Sequence, residues 1–176
     1  GVRGIKLADG DRVISMSILR HSEFTMEERD EFLKRSRALR AGESMESSVT
    51  LSEVRFQEML SEEEMILTIT EKGFGKRSSA YEYRLSGRGG QGIANMEITD
   101  KTGLVVASFP VQEMDHLMLV TDGGQLIRSH VNQIRVVGRK TQGVTLFRVS
   151  TGEKVVSADR IPEESEEDPV VEPTSD

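Results

Sequence analysis

Leu67-Thr68-Ile69-Thr70-Glu71-Lys72-Gly73 and Met118-Leu119-Val120-Thr121-Asp122-Gly123-Gly124 decide the fold. Each is an apolar run rich in strand formers that ends in a Thr-acid turn closed by glycine. They lie 51 residues apart, and the same offset carries further positions across. Arg77-Ser78 falls on Arg128-Ser129, Tyr83-Arg84 on Ile134-Arg135, Gly87-Arg88 on Gly138-Arg139 and Gln91-Gly92 on Gln142-Gly143. After each of the last glycines comes an alternating stretch: Ala94, Met96, Ile98, then Val144, Leu146 or Phe147, Val149. A turn and a Val-rich strand follow, at Gly103-Leu104-Val105-Val106-Ala107 and Gly152-Glu153-Lys154-Val155-Val156-Ser157. Chance similarity does not produce so many matches at one fixed offset, and duplication does. The start of the chain matches only the second half of the unit: Gly4-Ile5-Lys6-Leu7, Asp9-Gly10-Asp11, Val13-Ile14-Ser15.

Short Val- and Ile-rich strands separated by Gly and Asp turns predict a mainly β protein built of propeller-like blades. One such blade cannot bury its own face, so neighbours must stack. Residues 1–21 are expected to be the second half of a blade, with full blades at 63–112 and 113–161. Residues 22–62 have a different texture. Thr25-Met26-Glu27-Glu28 is a capping box, and no Gly or Pro follows before Arg40. Asp30–Lys34 and Glu31–Arg35 are i,i+4 pairs with the acid first, and Phe32, Leu33, Ser36 and Leu39 make a narrow stripe. Residues 41–50 are Gly/Ser/Glu-rich and read as loose; Thr50-Leu51-Ser52-Glu53 is a second capping box for a helix to about Leu60. The stretch reads as a small acidic α-helical insertion, the alternative being a disordered linker. Residues 162–176 hold three prolines, acids and no base, and are expected to be a disordered acidic tail.

The 176-residue chain has 23 Lys+Arg against 30 Asp+Glu, net −7. Taken whole, that charge opposes nucleic acid, but the acid is concentrated in the insertion and the tail. Residues 64–160 carry thirteen bases and ten acids. With no cysteine, neither a disulfide framework nor a Cys-based zinc site is possible. His21, His116 and His130 have no ligand spacing, so no metal is expected. The lack of cysteine agrees with a reducing cytoplasm, and a nucleoid-associated cytoplasmic protein is expected; no apolar run approaches a membrane span, the N-terminus has no signal-peptide layout, and no membrane partner is expected. The Gly1-Val2-Arg3-Gly4 start reads as that of an excised fragment. No Ser/His/Asp grouping suggests catalysis, and Asp9-Gly10-Asp11 is turn chemistry.

The chemical signal is Gly87-Arg88-Gly89-Gly90-Gln91-Gly92, a Gly-rich loop able to bring amides and a guanidinium to a phosphate. With Thr70-Glu71-Lys72-Gly73-Phe74-Gly75-Lys76-Arg77-Ser78 and Tyr83-Arg84 before it, this stretch resembles the repeated motif in the C-terminal domain of the gyrase A subunit. The resemblance covers residues 1–20 and 64–161. It implies a β-pinwheel whose blades exchange strands and whose basic rim wraps DNA. The family's first-blade box reads Gln-Arg-Arg-Gly-Gly-Lys-Gly. Here Ser86 to Gly92 lacks its Gln, one Arg and its Lys, and Val137 to Gly143 departs further. The resemblance is therefore to later, terminal blades.

It implies phosphate contacts from Lys76, Arg77, Arg84, Arg88, Arg128, Arg135, Arg139 and Lys140, with Arg3 and Lys6 as weaker candidates. It further implies duplex DNA as ligand, and the partners it implies are a gyrase B subunit plus a second A subunit. No cofactor belongs to this stretch; ATP and magnesium act elsewhere in the intact enzyme, and the family's active-site tyrosine lies in a separate N-terminal region. The acidic tail could compete with DNA for the rim. The A protein of topoisomerase IV has similar blades, a propeller-type protein-interaction module is a reading of another class, and a propeller hydrolase has the least support.

Overall fold

The structure, a computed structural model, describes residues 1–43 and 50–163. The acidic tail lies almost wholly outside these residues, as does most of the Gly/Ser/Glu-rich stretch. Seven strands follow two helices: α1 Met26–Arg40, α2 Glu53–Glu62, then β1 Met65–Thr70, β2 Phe74–Ser79, β3 Val105–Val111, β4 His116–Thr121, β5 Leu126–His130, β6 Val144–Thr145 and β7 Val155–Ile161. They form two antiparallel sheets, in the orders β3-β1-β2-β6 and β5-β4-β7.

The two sheets follow one plan. A hairpin, β1–β2 or β4–β5, runs into a 3-10 turn at Ala80–Glu82 or Val131–Gln133. The last strand then returns to the far side of the hairpin's first. Both return strands carry a register shift at matching places, between Ile69 and Thr70 and between Val120 and Thr121. The closing hydrogen bonds match as well: Ala80 N donates to Glu64 O at 2.8 Å, and Val131 N to Asp115 O at 2.9 Å.

The blades stack face to back. Side chains alternate across a strand, and Leu67 and Ile69 of β1 share a core with Leu117 and Leu119 of β4. All four are at most 1% exposed. Burial of that completeness contributes about 1.5–3 kcal/mol per side chain. At the repeat offset, Met118 and Val120 of β4 stand where Leu67 and Ile69 do in β1. Here they are only half-buried, because that face of the second blade meets no further blade among the described residues.

Strand exchange joins the sheets. β6 belongs to the second blade by sequence but pairs with β2 of the first, Phe74 opposite Thr145 and Gly75 opposite Val144. The approach is close enough that a Cβ on Gly75 would lie 2.5 Å from Leu146 Cδ1, and one on Gly73 2.4 Å from Phe147 O. Two expected strands are missing for want of a partner hairpin. Ala94 to Ile98 forms no strand, and neither does the Val13-Ile14-Ser15 stretch. A strand needs a partner ladder, and the described residues before Glu64 hold no hairpin to supply one. The first twenty residues form no helix or strand and are mostly exposed, held at a few points such as Ser15 Oγ to Ser108 O, 3.0 Å.

Thr25 caps α1 as a full capping box with Glu28, an arrangement worth about 1 kcal/mol. Helix α2 is capped by Ser52, not Thr50. The i,i+4 pairs are also replaced. Lys34 meets Glu31 at i,i+3, and Arg35 turns away to Glu53 of α2. Ala38 is buried where Leu39 was expected, and Leu39 is 56% exposed. The cause is the helices' own small core: Phe24, Phe32, Leu51, Phe56 and Met59 close around Tyr81 of the first blade's 3-10 turn. Tyr81 donates its hydroxyl to Met59 O at 3.0 Å and meets Phe24 and Phe32 edge-on. Arg40–Glu63, 2.7 Å, ties the end of α1 to the chain entering β1.

Candidate nucleic-acid interface

The eight basic residues expected on a rim divide into two groups. Lys76 and Arg77, on β2, are 0% and 5% exposed; this corrects the expectation that they face DNA. β2 alternates like any strand, but the second blade covers its outer edge. Lys76 Nζ donates to Gly138 O at 3.1 Å and also to Arg139 O. Arg77 Nε donates to Ile134 O at 2.7 Å, its Nη2 to Asn132 O at 3.2 Å, and its Nη1 reaches Glu113 at 3.0 Å. Ser78 Oγ donates to Val137 O at 2.9 Å. Backbone bonds alternate with these, Arg77 N to Arg135 O and Val137 N back to Arg77 O. Residues 76–78 are therefore a latch on residues 132–139 of the next blade. Burial pulls the Lys76 ammonium down to about 8, with Arg139 adding to the effect and Glu82 opposing it.

The latch holds the second group. Arg135 is exposed, Arg139 half-buried and Lys140 exposed, all within or just past the clasped segment. Arg139 gives its backbone N–H to Glu82 at 2.7 Å and its Nη1 to Ala94 O. In the first blade Arg84 and Arg88 are both exposed. Arg84 and Arg135 each follow a 3-10 turn by two residues, so they take equivalent, solvent-facing places on successive blades. Arg128 is exposed on β5 and donates its Nε to His116 Nδ1 at 2.8 Å. It occupies Arg77's position in the plan, on the β5 edge that corresponds to the latched edge of β2.

The Gly/Arg loop serves partly as a clamp. Gly89 N donates to Gly4 O and Lys6 N to Gly90 O, both at 2.8 Å. The Gly89 amide is thus committed to protein. The pairing nevertheless brings exposed Arg3 and Lys6 beside exposed Arg88, a juxtaposition across more than eighty residues. Tyr83, before the loop, bonds its hydroxyl to Asn95 after it, and burial raises it to about 12. Arg29 and Arg37 are absent from the expected set because the insertion reads as acidic throughout. Their spacing around Leu33, four residues either way, marks a single helix face. That face lines a groove of about 860 Å³ with Arg84, Arg139 and Lys140.

Among the described residues no group of three or more His, Asp or Glu could hold a metal ion, and no helix is long and apolar enough to cross a membrane.

Stacked, strand-exchanged antiparallel blades define a propeller-type module. Solved structures agree on the fold: a DNA gyrase A C-terminal domain superposes with TM-score 0.53 at 23% identity, over 56% of this chain and 33% of that one. The C-terminal domain of DNA topoisomerase IV gives 0.51 at 20% identity, over 56% of this chain and 31% of that one. The family model described as DNA gyrase C-terminal domain, beta-propeller, matches residues 1–20, 64–112 and 115–162. The chain belongs to this family. It is 52% identical over 174 residues to the DNA gyrase A subunit of Rickettsia bellii, covering 95% of this chain and 19% of that protein. It is 51% identical to the Granulibacter bethesdensis protein of the same name, over 89% and 19%, and 36% to that of Salmonella typhimurium, over 93% and 14%. The chain spans about a fifth of the length of its nearer relatives among these.

Proposed function

We propose that this chain binds duplex DNA through its phosphates, without reading sequence, and bends it along the blade edge as part of the gyrase A subunit. The observation that carries the reading is the exposed pair Arg84 and Arg135 at equivalent places on successive blades. Charges repeated by the blade plan can follow a curved backbone. Arg88 and Lys140 extend each point of contact, and Arg3 and Lys6 lie beside Arg88. Contacts of this kind position DNA but do not discriminate bases. In the intact enzyme the bend would present a DNA segment for ATP-driven negative supercoiling, with the B subunit, a second A subunit, ATP and magnesium supplied outside this chain. Relatives at 50–52% identity are gyrase subunits, which supports gyrase over topoisomerase IV.

Four exposed contacts, Arg84, Arg88, Arg135 and Lys140, predict a slope of log affinity on log salt near −3.6, at about −0.9 per phosphate. Affinity should then fall about 150-fold between 50 and 200 mM salt. A mobility-shift titration measures this. No binding at 50 mM, or binding indifferent to salt, refutes the reading and leaves the protein-interaction module in its place.

A further inference from the structure

Residues 21–63 fall outside the family match, yet they do not stand apart from the basic surface. Arg29, Leu33 and Arg37 lie on one face of α1, and that face closes the 860 Å³ groove against Arg84, Arg139 and Lys140 of the blades. Three of the residues expected on the rim are thus joined by two arginines of the insertion. Two acids share the lining, Asp30 and Glu82. Glu82 is already committed, accepting from Arg139 N at 2.7 Å and from Arg37 Nη2 at 3.4 Å. Five bases against two acids leave the groove positive in a chain of net charge −7. The rest of the insertion is arranged to leave it so. Glu28 pairs with Arg55, Arg35 with Glu53 and Arg40 with Glu63, all elsewhere. Met26 and Leu85, 66% and 79% exposed, stand in its walls, where apolar atoms can meet deoxyribose carbons. The groove is too small for a whole duplex and suits one sugar–phosphate strand of it.

We propose that the helical insertion is a second DNA-contacting element, whose Arg29–Arg37 face and the blade residues Arg84, Arg139 and Lys140 together grip the backbone of the duplex as it crosses the blades. This rests on the DNA-binding reading above and adds to it that α1 takes a share of the phosphate contacts. Asp30 opposes the grip by like charge. Glu27, exposed on α1 and outside the groove, does not.

The test uses the 176-residue chain, a labelled duplex and salt titrations of four variants. Arg37→Gln should lower the salt slope by about 0.9, so that between 50 and 200 mM it loses about 3.5-fold less affinity than the parent. Asp30→Asn should tighten binding about threefold, the repulsion in water of a carboxylate some 6 Å from a phosphate. Glu27→Gln makes the same change of net charge and should leave affinity unchanged. Tightening by Asp30→Asn cannot arise from damaged folding. The proposal is overturned if Asp30→Asn and Glu27→Gln act alike, or if Arg37→Gln keeps the parental slope. If Arg84→Gln flattens the slope while Arg37→Gln does not, the insertion proposal fails and the DNA-binding reading survives. If the parent chain does not bind at all, both fail.

Discussion

Replacing Arg77 with Met separates a latch between blades from a contact with DNA. Arg77 is 5% exposed, and its guanidinium makes two bonds to next-blade carbonyls, Ile134 O at 2.7 Å and Asn132 O at 3.2 Å. Its third partner, Glu113, is 66% exposed, so that ion pair contributes little. Charge-assisted bonds to buried groups contribute about 1.5–3 kcal/mol each, and Met keeps most of the buried hydrocarbon. Arg77→Met should therefore destabilise the fold by about 3–5 kcal/mol, a large share of the 5–15 kcal/mol typical of a domain. Arg77→Lys keeps the charge but not the planar fork, and should recover part of the loss. Urea midpoints of the three proteins measure this, with DNA salt slopes taken at low denaturant. The latch predicts lower midpoints and a native-state slope equal to the parent's. A parental midpoint for Arg77→Met, together with a slope smaller by about 0.9, would show that Arg77 contacts phosphate and that the clasp on residues 132–139 is not what holds the blades.

Two further predictions follow from the same joint. Lys76 is buried with its folded value depressed to about 8, while an unfolded lysine titrates near 10.4. From about pH 8 upward the unfolded chain holds a proton the folded one has released, so stability should rise with pH, by up to about 3 kcal/mol at full titration. The difference in urea midpoint between parent and Lys76→Met should change between pH 7.5 and 9.5 in that direction; a constant difference shows that Lys76 titrates alike in the folded and unfolded chains, and the upper limit avoids tyrosine ionisation. Gly73 and Gly124 close equivalent turns at φ +76° and +81°, but a Cβ on Gly73 would lie 2.4 Å from Phe147 O whereas one on Gly124 meets nothing within 4 Å. Gly124→Ala should cost only the left-handed penalty of about 1–2 kcal/mol, Gly73→Ala clearly more, and equal thermal shifts would show that the exchanged strand yields.

What could be read from the chain alone was whatever depends on local pattern or on the fixed offset. Leu67 to Gly73 set against Met118 to Gly124 announces two hairpins of one plan, because alternation and turn glycines are local properties. Thr25 and Glu28 announce the start of α1 for the same reason. The recurrence of Arg84 at Arg135 placed two exposed charges, since both follow short turns at the surface. Burial set by a neighbour was not legible. Lys76 and Arg77 read as rim charges because nothing nearby in sequence reveals that residues 132–139 cover them. By residue pattern β6 read as part of its own blade, and only the family resemblance implied the exchange that gives it a ladder on β2. Arg29 and Arg37 were lost in the average charge of the insertion, and only the packing of Phe24 and Phe32 on Tyr81 turns their helix face toward Arg84, Arg139 and Lys140. The sequence by itself determined the elements and the blade plan, which arise from contacts a few residues or one repeat apart. The tertiary structure alone decided which charges face solvent, because stacking and strand exchange bring together backbone carbonyls and side chains some sixty residues apart.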